Sequence, residues 1–256
     1  MRRFSQNLVG NNFNLNSLRL RSELENLPVS RDHECSYFHD RLSRLQFFFS
    51  EKSLEPEEID VFLNNGFRRS GDFLYRPQCN RCRLCIAYRL PIERFLPNKS
   101  QLKNLRKNSH LNYYFHKPKL TREKETLYLR YMESRHEESN ISIDSMHLQM
   151  FTMVDSSLEI TVYDNDKLIG FGIIDVGLKN YSAVYNVYDP DYTKNGIGTF
   201  MILACIQWGK HEKQMDYFHL GLFIPRHPKM DYKKNFKPAE ILHPITKKWL
   251  NADTIL

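Results

Sequence analysis

Beyond residue 55 the hydrophobic positions fall into short alternating runs and helical stripes, and these predict the order of the elements. Pro56-Glu57-Glu58 opens a short helix, because proline and acids suit a first turn, and Ile59, Phe62 and Leu63 give it an apolar stripe that Gly66 ends. Phe73-Leu74-Tyr75-Arg76 and Ile86 to Ile92 read as strands flanking a cysteine-bearing turn. A basic helix is expected from Ser100 to Asn108, with Ser100 as its N-cap. Helices are expected again from Arg122 to Arg135 and from Met146 to Val154. A hairpin joins Leu158–Tyr163 to Leu168–Val176 around Asp164-Asn165-Asp166-Lys167. Tyr181 to Tyr188 forms a third strand, Ile197 to Lys213 a long apolar helix and Tyr217 to Ile224 a closing strand. Before residue 31 the chain is Asn-rich and lacks a clear period despite Leu15, Leu18 and Leu20, so a weakly ordered extension is expected there. Cys35-Ser36-Tyr37-Phe38 then opens the ordered part. The strongest apolar cluster, Leu45 to Phe49, falls far short of the roughly 20 residues a membrane-spanning helix needs.

Charge divides the chain. Residues 1–119 carry 21 Lys/Arg against 12 Asp/Glu and residues 120–256 carry 16 against 18, giving net charges of +9 and −2. The sign changes at Lys117-Pro118-Lys119, which reads as a linker. Three parts are therefore expected: an extension (1–30), a smaller basic, cysteine-containing domain (31–119) and a C-terminal domain (120–256). Between Gly66 and Lys107 lie 11 Lys/Arg and 2 acids, a density that attracts phosphates or carboxylates and suits a partner such as tRNA better than a membrane surface. The C-terminal order, helix–helix–β–β–β–α–β, is that of the N-acetyltransferase-like fold: α+β, a mixed sheet flanked by helices. Residues 1–22 hold four Arg and no acid, as a transit peptide would, but Asn is too frequent and the apolar face too poor. Four of five cysteines lie in the first 85 residues, and no apolar signal segment follows Arg2-Arg3, so a reduced cytoplasmic setting is expected.

Several constellations carry candidate chemistry. Cys79, Cys82 and Cys85, with Cys35 as a distant fourth, offer thiolates for tetrahedral zinc or an iron–sulfur cluster, or else pack a tight turn as reduced thiols. Arg68-Arg69-Ser70-Gly71 follows a helix stop, and paired guanidiniums grip carboxylates or phosphates in bidentate fashion. Lys99, Lys103, Arg106 and Lys107 share one face of the basic helix, which suits an RNA backbone or simply solvent. Asn195-Gly196-Ile197-Gly198-Thr199 begins the long helix; glycines there let backbone N–H groups approach a phosphate, as at the coenzyme A pyrophosphate of acetyltransferases, or merely make a tight turn. Tyr185 to Asp191 ends a strand just before that loop, and Asp189 there either orients or deprotonates an amine or forms an Asp-Pro-Asp turn.

Taken together, these residues resemble a known family. Gly66-Phe67-Arg68-Arg69-Ser70-Gly71, Tyr75-Arg76-Pro77 with the three spaced cysteines, Phe95, Pro97, Ser100-Gln101 and Asn108 are similar to motifs of the arginyl-tRNA–protein transferases, in particular the shorter bacterial aspartate/glutamate leucyltransferase branch. The likeness continues through Tyr131, Arg135-His136, Ala183-Val184-Tyr185, Asp189-Pro190-Asp191, Gly198-Thr199, Leu220-Gly221, Lys229-Met230, Tyr232-Lys233, Phe236, Pro238 and Glu240. It implies a cytoplasmic aminoacyltransferase that moves Leu or Arg from its charged tRNA to proteins starting with Asp or Glu, creating a degradation signal of the N-end rule pathway. It implies no cofactor for the transfer itself, although in some relatives the cysteines hold an iron–sulfur cluster. With that reading Arg68, Arg69, Arg76, Lys103 and Arg106 serve the acidic acceptor side chain or tRNA phosphates. The loop of Gly196, Gly198 and Thr199 serves the terminal-adenosine phosphate in place of coenzyme A. Tyr185 and Asp189 contact the attacking amine, and Ser70, Tyr75, Gln101, Lys229, Tyr232 and Lys233 complete the substrate site. The chain departs from the family pattern at Gln101-Leu102-Lys103, at Leu222-Phe223 and at Gly196-Ile197, which bears on the pocket for the transferred side chain. The rival expectations are a coenzyme A-dependent N-acetyltransferase and a non-catalytic, zinc-dependent RNA-binding module.

Overall fold

The structure is a computed structural model and describes residues 23–135, 142–211 and 213–254, so residues 1–22 of the extension expected over 1–30 lie outside it. The first elements are β1 (His33–Glu34), β2 (Leu42–Ser43), β3 (Leu45–Phe49), α1 (Pro56–Asn64), β4 (Arg68–Ser70) and β5 (Phe73–Pro77). Next come β6 (Ile86–Pro91), α2 (Lys99–Lys107), β7 (Asn112–His116), α3 (Arg122–Arg135) and α4 (Ile143–Phe151). The chain ends with β8 (Ser157–Asp164), β9 (Lys167–Val176), β10 (Asn180–Tyr188), α5 (Ile197–His211), β11 (Tyr217–Phe223), β12 (Glu240–Leu242) and β13 (Trp249–Asn251).

Eight strands make one sheet in the order β13-β12-β6-β11-β10-β9-β8-β7. Only β10 and β11 run parallel in it. That connection runs through α5, as a parallel pair requires. The α+β, acetyltransferase-like arrangement expected from the element order is thus present. Apolar residues run almost unbroken along β9 from Leu168 to Ile174, because both faces of this central strand are covered. One face packs under α5, whose residues are apolar nearly all round; the other packs against α3 and α4 through Leu127, Tyr128, Met146 and Met150. Each such fully buried aliphatic side chain contributes about 1.5–3 kcal/mol.

A three-stranded sheet, β3-β5-β4, stands beside the large one. Phe48 and Leu74 face inward onto α1, where Ile59, Phe62 and Leu63 form the predicted stripe. The smaller sheet and α1 are joined to the large sheet by polar bonds, of which the first is buried. Arg69 of β4 grips Asp175 of β9 at 2.9 Å, and Asp60 of α1 accepts from the Lys179 and Asn180 N–H groups at 3.0 and 2.9 Å. The large sheet crosses the division expected at residue 119: β6 and β7 precede that point, yet they pair with β11 and β8. Residues 23–30 are also more ordered than their composition suggested, with Leu24 buried and Val29 bridging to Gln46. The basic helix starts earlier than expected, because Asn98, not Ser100, caps it: Asn98 Oδ1 accepts the Gln101 N–H, and Gln101 Oε1 accepts the Asn98 N–H, both at 2.9 Å.

Candidate active site

The parallel strands β10 and β11 pair only at Asn180–Tyr217, Tyr181–Phe218 and Ser182–His219. Beyond those residues they part. Register breaks on both strands mark the place, between Ala183 and Tyr185 on β10 and between His219 and Leu222 on β11. A wedge opens where backbone groups are released from the ladder, the kind of opening in which α/β sheets hold ligands.

Arg68 sits at the mouth of this wedge. Its Nη2 donates to the Val184 carbonyl at 3.3 Å, while its Nε is buried with no hydrogen-bond partner among the described residues. Across the wedge lies Gly221, with φ of 75°; a Cβ there would stand 3.1 Å from Arg68 Nη1, so the close approach of the guanidinium explains the glycine. Tyr75 first, against the cost of burial, and then Tyr37 and Tyr232 favour the charged guanidinium. Lys233, on the short 3-10 turn Asp231–Asn235, is buried; its Nζ donates to the Leu222 carbonyl and lies 3.5 Å from Met230 Sδ. Burial, and then the charge of Arg68, bring its pKa down to about 7. A half-buried guanidinium and a buried ammonium thus stand close together, and no ion pair of either with a carboxylate is seen among the described residues. Such a site favours an incoming anion. Tyr185 follows Val184 on β10, with its hydroxyl 3.6 Å from Met132 Sδ and its ring edge-on to Tyr131.

The structure therefore brings together Arg68, Tyr75, Lys233, Tyr232 and Tyr185. Other expected site residues are placed differently. Arg69 is buried against Asp175, Thr152 O and Gly71 O, and Arg76 against Gln46, Glu25, Asn65 O and the Phe67 ring, so neither guanidinium is available to a substrate. Gln101 is spent on the helix cap and on the Asn235 carbonyl. Ser70 lies half-buried on β4 opposite Phe73, and Lys103, Arg106 and Lys229 are exposed.

Asp189 does not act as a free base here. It is buried and accepts from Arg130, Lys167 and the Asp191 N–H at 3.1, 2.8 and 3.1 Å. Burial pushes its carboxyl up, but Lys167, the Asp191 N–H and Arg130 together outweigh burial and hold it below the ordinary carboxylate range. It closes the end of β10 and caps the turn Pro190–Asn195. The glycine loop after that turn is covered by α2: Asn104 Nδ2 donates to the Asn195 and Gly196 carbonyls at 3.0 and 3.1 Å, and Asn108 Nδ2 to Asn195 O at 2.9 Å. Gly198 meets the Tyr188 ring, and Thr199 is half-buried. Asn104 and Asn108 were legible only as the polar side of a basic helix; their spacing of four is the one sequence sign that they face the same neighbour.

The cysteines lie beside β5 and β6, and Cys35 and Cys85 stand near Tyr37, which also neighbours Arg68. Cys79, Cys82 and Cys85 line a cavity of about 50 Å³ with Gly66, Leu222 and Leu242. Burial, then the neighbouring Cys35, Cys79 and Cys82, push the Cys85 thiol up to about 12. The Cys79 thiol donates to Ser43 Oγ and Arg44 O at 3.8 Å. Among the described residues no three Cys, His, Asp or Glu side chains stand at metal-ligand spacing, although Cys35, Cys79 and Cys82 all lie near enough to Cys85 to act on its charge.

Comparison with known proteins adds a second line. The family models for the N terminus and C terminus of arginine-tRNA-protein transferase match residues 33–103 and 123–243. Aspartate/glutamate leucyltransferase of Leptospira interrogans (strain Fiocruz L1-130) is 42% identical over 92% of this chain and 94% of its own length. That of Saccharophagus degradans is 34% identical over 88% of this chain and 95% of its own. Among solved structures, L-PGS from Bacillus licheniformis overlays with a TM-score of 0.47 and 13% identity, covering 75% of this chain and 64% of that one. By the matched family models and identity across nearly its whole length, this chain belongs to the arginine-tRNA-protein transferase family.

Proposed function

We propose that this chain transfers leucine from leucyl-tRNA to the α-amine of proteins that start with Asp or Glu, and so creates a degradation signal. The observation that carries the reading is the Arg68–Lys233 pair, a half-buried guanidinium and a buried ammonium facing the parting of β10 and β11. The acceptor's acidic side chain supplies the missing anion, and its α-amine is thereby held beside the exposed backbone of the wedge. The names of the relatives favour leucine as the group transferred.

The donor is an ester and is already activated, so the transfer itself needs no cofactor. The amine nitrogen attacks the ester carbonyl, an amide bond forms, the ester C–O bond breaks and the tRNA ribose leaves with a free hydroxyl. The proton lost by the amine ends on that ribose oxygen, directly or through water. An α-amine has an ordinary pKa near 8, so a useful fraction is neutral at neutral pH. Alignment of amine and ester then supplies most of the acceleration, by up to about 7–11 kcal/mol for well-held groups. Charged tRNA is a cytoplasmic reagent, and the reading makes this a cytoplasmic enzyme; among the described residues no helix is long and apolar enough to cross a membrane.

The test is incubation with leucyl-tRNA or arginyl-tRNA and peptides starting with Asp, Glu, Asn or Gln, read by mass. One leucine added to the Asp and Glu peptides alone is expected. Transfer to all four peptides, or acetylation from acetyl-coenzyme A instead, would overturn the reading.

A further inference from the structure

The outer face of the three-stranded sheet is more aromatic than a solvent-facing surface requires. Its strands alternate, with Phe48, Leu74 and Arg69 directed inward and Phe47, Phe49, Phe73, Tyr75, Arg68 and Ser70 directed outward. Phe49 is 59% exposed, and Phe47, Phe73 and Tyr75 are half-buried. The rings form a continuous run, with centroids 5.3 Å apart for Phe47 and Phe49, 5.6 Å for Phe49 and Phe73, and 5.9 Å for Phe73 and Tyr75. The run ends on Arg68, whose guanidinium carbon lies 5.8 Å from the Tyr75 centroid. It therefore leads from open surface to the mouth of the wedge. None of the outward strand positions is a carboxylate.

We propose that this face is a stacking platform for the unpaired nucleotides at the 3′ end of the charged tRNA, which delivers the terminal ester to the wedge. The proposal rests on the transfer reading given above. Aromatic side chains on an antiparallel sheet, with a guanidinium and no acid among them, match single-stranded RNA, because every base has a π-face and the backbone is anionic. A polypeptide acceptor fits the face less well. Beyond its first residue its sequence varies, and an extended peptide is ordinarily held by backbone hydrogen bonds along a strand edge rather than by ring faces. The glycine loop, covered by Asn104, leaves the 3′ strand in need of another path.

The experiment uses the full chain with Phe49→Ala, Phe73→Ala and Phe49→Trp. KM is measured separately for leucyl-tRNA and for an Asp-starting peptide. Fluorescence of Phe49→Trp, relative to the unaltered protein, is followed as a short single-stranded RNA ending in CCA is added. With stacking on each ring, each alanine variant raises KM for leucyl-tRNA roughly 5- to 150-fold and leaves KM for the peptide unchanged. Phe49→Trp is quenched by the oligonucleotide. If the peptide KM rises instead, the face belongs to the acceptor. If neither KM moves while circular dichroism remains native, the rings are internal packing only. Either result overturns the proposal. The quenching experiment needs no transfer, so absence of quenching sinks the platform even if transfer occurs, and quenching without transfer sinks only the transfer reading.

Discussion

Arg68 and Arg69 are neighbours on one short strand, and the pleat sends them to opposite faces. Arg69 meets Asp175 in a buried pair with side-chain exposures of 4% and 10%, reinforced by Ser157 Oγ at 2.7 Å from the same carboxylate. Truncating it leaves Asp175 buried without its cation. Arg69→Ala is therefore expected to lower unfolding stability by about 3–5 kcal/mol in urea titration. Arg68 has no such carboxylate, and Arg68→Ala is expected to keep its unfolding midpoint but lose about 2–5 kcal/mol in kcat/KM for Asp and Glu peptides. A variant pair with those effects exchanged would remove Arg68 from the acceptor site. Lys233 makes a separate prediction through its charge. In the free enzyme its pKa lies near 7, because burial and then Arg68 disfavour the ammonium. A docked carboxylate restores the ammonium and raises that pKa. Acceptor binding should accordingly take up a proton at about pH 8.5 and almost none at about pH 6, where Lys233 is already charged. A peptide carrying a succinyl group in place of its first Asp keeps the carboxylate and lacks the amine, so calorimetric titration in two buffers of different ionisation heat reads Lys233 alone. Uptake that persists in Lys233→Met would assign the proton to another group.

At the level of elements, the sequence carried the helices and central strands because their causes are local. Pro56 and the acids after it start α1, and unbroken apolar runs mark β9 and α5. Strands β4, β7, β12 and β13 were not legible. They are three to five residues long, and β4 owes its strand to pairing with β5, which no short-range pattern reveals. The same holds for Leu45 to Phe49, an apolar cluster without alternation because its aromatic residues occupy both faces of β3. The site was half legible. Motifs named Arg68, Tyr232 and Lys233, but nothing local distinguishes Arg68 from Arg69 or Arg76, since burial and partners are set by tertiary contacts, up to 116 residues away in sequence. Asp189 illustrates the opposite error: a carboxylate at a strand end reads as catalytic until Arg130 and Lys167, 59 and 22 residues away in sequence, are found holding it.

On the scale of the whole molecule, the acceptor and donor need different fields. The acceptor site is a small, partly buried cationic pair, whereas the tRNA is long and must be met by exposed charge. Helix α2 supplies some of that charge: Lys103 and Arg106 are exposed, and Lys107 is tied to the Lys194 carbonyl at 2.7 Å, which fixes the helix across the loop before α5. Exposed cations that meet phosphates release counterions, and each contact steepens the fall of affinity with salt by about 0.9 in a log–log plot. Lys103→Gln with Arg106→Gln is therefore expected to flatten the salt dependence of KM for leucyl-tRNA by roughly 1.8, if both residues touch the backbone. KM for the Asp peptide should keep its value at every salt concentration, because Lys233 is buried and Arg68 half-buried within the wedge, whereas Lys103 and Arg106 are exposed. Screening reaches surface charges much more than buried ones, so the two substrates should respond differently to added salt even in the unaltered protein. An unchanged slope in the double variant would make α2 a solvated face and leave recognition of the tRNA body to other cations of the basic half.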